Sequence, residues 1–254
     1  MKRIWGTLVN DVRLQWRNGF YYATVVMLAL FAILLSQAPR ADLSFLLPVV
    51  IVNNIMVNGF YFVAGLVLLE KSEGSLQAQV VTPLRPAEYL AGKVFSLTLL
   101  SAIENGLLAL LVMPDAISIG WLLWGVAAGV CFFTLAGLVV VVRYEGINEF
   151  LLPSLGVATL LALPLGPYFG VGDTAVGATL VYLHPLQAIL LALRAGAGGA
   201  GAGGALAGWQ TLYVVVYAVL FCSMAFLLAE KAYERFVRQT ALGSRRMEQR
   251  VDVR

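Results

Sequence analysis

Charge and titratable chemistry are scarce in this chain. Only 12% of its 254 residues are Asp, Glu, Lys or Arg, and it holds one histidine and two cysteines. A soluble domain carries about a quarter charged residues, so an ordinary soluble fold is excluded. Cys131 and Cys222 lie inside apolar runs, where a thiol behaves as a small hydrophobe, and they imply no disulfide framework. His184 has no Cys, Asp or second His at ligand spacing, which makes it a poor metal site with a local structural role. No serine sits in a Gly-x-Ser-x-Gly elbow, so intramembrane hydrolysis lacks its nucleophile. No Gly-x-x-x-x-Gly-Lys-(Ser/Thr) occurs, and the chain therefore cannot cradle ATP phosphates in that way. A cleavable signal peptide is not expected, because the first apolar run starts only after Arg17 and lacks a small-residue cleavage site.

What is present is apolar sequence. Hydrophobic residues make up 60% of the chain, in runs near membrane-spanning length separated by charged punctuation. The expected fold is an all-α integral membrane protein, with no room for a folded soluble domain. Residues 4–17 place Ile4, Trp5, Leu8, Val9, Val12 and Trp16 on one helical side and Asn10, Asp11, Arg13 and Arg17 elsewhere, which predicts an interfacial amphipathic helix. Six spans are expected at 20–36, 45–69, 89–113, 121–142, 150–169 and 209–229. Pro153, Pro164 and Pro167 predict a kinked or broken fifth span. Residues 180–194, interrupted at His184-Pro185, read as an outer re-entrant or interfacial segment, and 195–208 as a Gly/Ala linker.

Sorting the 17 Lys and Arg residues by these spans puts all but Arg40 and Arg194 on one side, together with the basic tail 231–254. The positive-inside tendency then predicts a multi-pass protein of the cytoplasmic (plasma) membrane with both termini in the cytoplasm. The basic pI near 8.9 belongs to that asymmetry and not to a nucleic-acid surface, and membrane lipids are the expected surroundings.

The richest segment is the inner loop from Glu70 to Lys93. Gly74 frees the backbone to turn, Ser75 can cap, and Leu76, Val80 and Val81 give a short helix one apolar side before Pro83 stops it. A second helix start follows at Pro86, with Glu88 at its positive end. A short helix lying across the cytoplasmic surface suits either a lever pushed by another protein or a plain connector. The next inner loop holds Arg143, Glu145 and Glu149, which form either a second contact or a solvated turn with an internal ion pair.

These residues carry a resemblance. Glu73-Gly74-Ser75-Leu76, Thr82-Pro83-Leu84, Glu88-Tyr89-Leu90 and Lys93 resemble the loop of ABC-2 type permeases, the membrane subunits of ATP-driven exporters. His184-Pro185-Leu186 is similar to that family's Asn-Pro-Leu segment, with His in place of Asn. The chain looks most like permeases grouped with multidrug or fluoroquinolone export. The resemblance implies an ABC-2 (type V exporter-like) transmembrane domain of one interfacial helix and six spans, with a coupling helix at 73–81. Its ATPase contacts would be Glu70, Glu73, Gly74, Ser75, Leu76, Thr82, Pro83 and Arg85. It further implies a separate nucleotide-binding ATPase subunit that holds ATP and Mg, and a second permease chain, identical or similar.

Within the spans, Glu104 is costly as a bare carboxylate and must be protonated, paired or facing water. It is either a contact for a cationic substrate or proton, or a hydrogen-bond partner of Asn53, Asn54, Asn58 or Asn105. With Tyr61, the three asparagines of the second span form a polar stripe suited to an amphipathic substrate or to a helix interface. The expected activity is export of a hydrophobic or amphipathic small molecule without catalysis on this chain. The alternative is an ion- or proton-coupled secondary carrier that uses Glu104, against which no inverted repeat of spans is evident.

Overall fold

Apolar runs in lipid must satisfy their backbone groups internally, and helices do so without a partner. The computed structural model describes residues 2–75, 85–115, 117–171, 179–198 and 206–251, with side chains from Trp5 to Val237. Among the described residues the regular structure is entirely helical. Helix α1 (Lys2–Arg17) is followed by α2 (Phe20–Ser36), and the two meet at 67°. Gly19 makes that corner with φ +80°, a left-handed conformation that a side chain would disfavour. Next come α3 (Arg40–Met56), a π-helical turn (Val57–Tyr61) and α4 (Phe62–Ser72), which run on as one 33-residue rod. Helices α5 (Pro86–Val112), α6 (Ile119–Val141), α7 (Ile147–Leu161), α8 (Leu165–Tyr168), α9 (Pro185–Gly196) and α10 (Gly208–Val251) complete the chain.

Four of these are long and apolar enough to cross a membrane: Arg40–Ser72, Pro86–Val112, Ile119–Val141 and Gly208–Val237. The bent pair of α1 and α2 makes a fifth candidate if it counts as one span. Helix α2 is only 17 residues long. The expected fifth span, 150–169, is not one helix: it stops at Leu161 and restarts after Pro164, which has no N–H to continue the ladder. Two further expectations shift. The Gly/Ala linker begins later than residue 195, because α9 runs to Gly196 and buries Ala195 and Ala197; residues 199–205 lie outside the described set. The basic tail continues α10 as backbone helix to Val251.

Helix α6 is the axis of the packing and touches α3, α4, α5, α9 and α10. Its glycines allow this closeness. A Cβ on Gly137 would lie 2.8 Å from the Phe60 carbonyl oxygen, and one on Gly125 would lie 2.8 Å from Leu193. Small residues of this kind let helices approach where lipid supplies little hydrophobic drive. Helix α9 fills the resulting valley, with Leu186, Ile189, Leu190 and Leu193 all buried. The 180–194 segment is therefore an interior helix from Pro185 onward, packed on α6.

His184 caps α9: its Nδ1 accepts the Leu186 N–H at 3.2 Å, and Pro185 occupies the first helical position. An Asn at this place would accept the same bond, so the His for Asn exchange preserves the cap. Burial holds the imidazole below its ordinary pKa of 6.5, partly offset by a hydrogen bond with the Leu160 backbone.

Two outcomes are expected for purified protein in detergent. Gly137→Ala must displace the Phe60 backbone and should lower stability by about 1–3 kcal/mol in thermal unfolding, whereas Gly156→Ala, with open space around it, should not. For His184 the folded pKa lies below the unfolded one, so its contribution is present above about pH 6.5 and lost as pH falls through the folded value. The unfolding temperature of the wild type should drop between about pH 7 and pH 5 more than that of His184→Asn, which keeps a cap without titrating.

Candidate functional site at the base of the Glu70 to Lys93 loop

The loop expected to act as a lever leaves the end of α4 and enters the start of α5. Leu76, Thr82 and Pro83, with most of the expected 73–81 helix, lie outside the described residues. Its two ends are described. Gly74 turns with φ +71°, and Ser75 donates to the Glu70 carbonyl at 3.2 Å. On the far side the Arg85 N–H donates to Glu88 at 3.0 Å, which caps α5 beside Pro86. Glu73 and Arg85 are exposed, and Glu73 pairs with Arg17 of α1 at 2.5 Å.

Beneath these ends lies a cluster closed to solvent. Lys93 of α5 is fully buried, and its ammonium reaches Asp11 of α1 at 2.7 Å and Glu70 of α4 at 2.5 Å. The Tyr89 hydroxyl donates to the other Glu70 oxygen at 2.7 Å. Gln15 donates to Ser96 at 3.1 Å, and the Tyr89 ring stacks on Tyr233 of α10 at 4.6 Å. Glu70, expected among the docking residues, thus points inward at 1% exposure and serves as a joint. An ammonium so placed is held only because both carboxylates meet it, and the Tyr89 hydroxyl completes Glu70.

The neighbouring residue works in the other direction. Lys71 donates to the carbonyls of Val142 at 2.9 Å and Tyr144 at 2.6 Å, and lies 3.7 Å from Glu145. It closes the C-terminal end of α6, where unsatisfied carbonyls and the helix dipole favour a cation. Its ammonium also sits 4.8 Å above the Phe236 ring of α10. Glu149 accepts the Glu145 N–H at 3.3 Å, and no ion pair joins Arg143 to either acid among the described residues. Glu70 and Lys71 together therefore tie the first inner loop to α1, α5, α10 and the second inner loop.

Deeper in the bundle, the Asn58 amide donates to the Glu104 carboxylate, and Asn54 donates to Asn105 at 3.2 Å. Asn54, Asn58 and Glu104 are at most 3% exposed, packed among α3, the π-helical turn, α5 and α6. Asn53 and Tyr61 are half-buried. No group of three or more potential ligands for a metal occurs among the described residues.

Sequence reasoning named Glu70 and Lys93 but missed Asp11, Gln15, Lys71 and Tyr233. A signal existed for the first two. Asp11 and Gln15 stand one helical turn apart, away from Trp5, Val9 and Trp16, which are 67%, 41% and 63% exposed. The side of α1 with Asp11 and Gln15, together with Leu8 and Leu14, thus faces protein, while the tryptophans face outward and Asn10, Arg13 and Arg17 are exposed.

The sequence model of the fluoroquinolones export permease protein family matches residues 2–241. Two fluoroquinolones export permease proteins, from two strains of Mycobacterium tuberculosis, are each 32% identical over 241 residues, covering 94% of this chain and 98% of the relative.

The ionic joint makes an expectation of its own. Lys93→Met strands two buried carboxylates and should destabilise the protein by about 3–5 kcal/mol, read by denaturation in detergent. Adding Asp11→Asn and Glu70→Gln to that variant should recover much of the loss; a triple variant no more stable than the single one would contradict the pairing.

Proposed function

Because the chain belongs to the fluoroquinolones export permease family, we propose that it is the membrane subunit of an ATP-binding cassette exporter, driven by a separate ATPase chain that holds ATP and Mg. In this reading it crosses the cytoplasmic membrane six times, with α2 and the broken α7–α8 pair as the two short crossings and α1 at the interface. Both termini face the cytoplasm, and two permease chains, identical or similar, enclose the path. The cargo is amphipathic, of the fluoroquinolone kind named for the relatives.

The observation that carries the proposal is the Glu70-Lys71 joint. A loop that only connected two spans would need no buried ionic bonds at its root. Here a push on the segment after Glu73 is delivered to α1 and α5 through Lys93 and to the end of α6 through Lys71. The exposed Glu73 and Arg85, with the residues between them in sequence, form the docking face, and Glu145 and Glu149 offer a second contact. Asn54, Asn58 and Glu104 sit inside the resting bundle, so cargo meets Asn53 and Tyr61 first and reaches the others only when the helices part.

The test is reconstitution in proteoliposomes with the ATPase subunit that co-purifies. Glu73→Lys should reduce fluoroquinolone-stimulated ATP hydrolysis by about fivefold or more while insertion is unchanged. Transport that follows an imposed proton gradient without ATP, and is lost in Glu104→Gln, would instead establish the proton-coupled carrier.

A further inference from the structure

Helices α6 and α10 pack side by side, and their seam is not filled. Toward the middle of the bundle an apolar groove of about 320 Å³ runs between Phe132 and Val139 of α6 and Phe221, Ala225 and Leu228 of α10, closed at the back by α7. At the end near the inner loops a second cavity of about 170 Å³ is lined by Val139, Val142, Ala232, Phe236 and the two arginines Arg143 and Arg235. Val139 lines both, so the two adjoin along the α6–α10 seam. On α10, Phe221, Ala225, Leu228, Ala232 and Arg235 recur every three or four residues along a single side. At 1.5 Å per residue this stretch is about 21 Å long, more than the roughly 15 Å half-thickness of a bilayer core.

The charge at its end decides the occupant. The lining contains two guanidiniums and no acid, and neither arginine has an ion-pair partner among the described residues. In the Arg143 loop itself, Glu145 lies beside Lys71, and Glu149 accepts the Glu145 N–H. A second copy seated symmetrically here would bring four guanidiniums together, which like charges oppose. An anion with a long apolar tail satisfies both ends. We propose that this groove binds one anionic phospholipid, its phosphate between Arg143 and Arg235 and one acyl chain along the α6–α10 seam. Basic pockets between membrane helices on the cytoplasmic side hold such head groups, and a guanidinium pairs with phosphate through two parallel bonds. Arg143 is then a lipid ligand, in place of the ATPase contact suggested for its loop. Bound there, the lipid braces α10 against the end of α6, next to the Lys71 joint.

The site is independent of any ATPase, so its test uses the full chain alone. Delipidated protein in neutral detergent is titrated with phosphatidylglycerol and with phosphatidylcholine of the same acyl chains, and bound lipid is counted by native mass spectrometry. Phosphatidylglycerol should bind preferentially, one per chain. The double variant Arg143→Gln, Arg235→Gln should weaken it by about thirtyfold and leave phosphatidylcholine unchanged. Leu228→Trp, which fills the tail groove, should weaken phosphatidylglycerol with the arginines intact. Equal binding of the two lipids, or a preference that survives the double variant, would overturn the proposal. So would full displacement by millimolar inorganic phosphate, the mark of a bare anion site. A Leu228→Trp variant that dissociates a dimer without changing the lipid count would assign the groove to a second copy instead.

Discussion

Lys93 carries a charge into a place that solvent does not reach, and three helices must converge for that charge to be tolerated. Asp11 comes from the first helix, Glu70 from the end of the long rod, and Lys93 from the helix that follows the loop. None can leave without stranding the others in a medium that solvates ions poorly. The orientation of α1 follows: with Asp11 and Gln15 turned toward Lys93 and Ser96, Trp5 and Trp16 are turned outward. The Tyr89–Tyr233 stack then brings α10 to the same place.

The adjacent position makes this anchorage useful. Glu70 and Lys71 reach different partners from one helix end, so two separate parts of the bundle share a single rigid root. The exposed Arg17–Glu73 pair, by contrast, is a solvated contact with little holding power. Stiffness is therefore concentrated just below the loop, and freedom is left at its surface. The polar groups in the bundle interior serve another end: the amide of Asn58 meets Glu104, and Asn54 meets Asn105, each bond joining the rod to α5.

Much of this was legible in the sequence where the signal is local. The first apolar run, 20–36, is a helix over those residues, Pro164 breaks the run that contains it, and Gly74 turns with positive φ. Local rules act through the backbone of the residue itself. What stayed illegible depends on partners distant in the chain. Asp11 and Lys93 are separated by 82 residues, and the periodicity of α1 says which side is polar without saying whether water or protein covers it. The spans carry almost no amphipathic contrast, so nothing in their pattern tells which face meets α6. Helix α9 reads as a re-entrant or interfacial segment because of its length, yet the glycines of α6 leave room to bury it. Arg143 reads either as a second contact or as paired with its neighbouring acids, and it is Lys71, from the end of α4, that lies beside Glu145.

The π-helical turn at Val57–Tyr61 sets an angular phase. Each residue of an α-helix advances the face by about 100°, and a π turn accommodates one residue more than the regular helix would. The half of the rod after the turn is thereby rotated against the half before it. Asn54 and Ile55 address α5 and α6 on one side of the offset, while Glu70 and Lys71 address α5 and the end of α6 on the other. With regular helix throughout, these two sets could not both face their partners. The π turn thus lets one continuous helix engage α5 and α6 both at mid-bundle and at the loop ends.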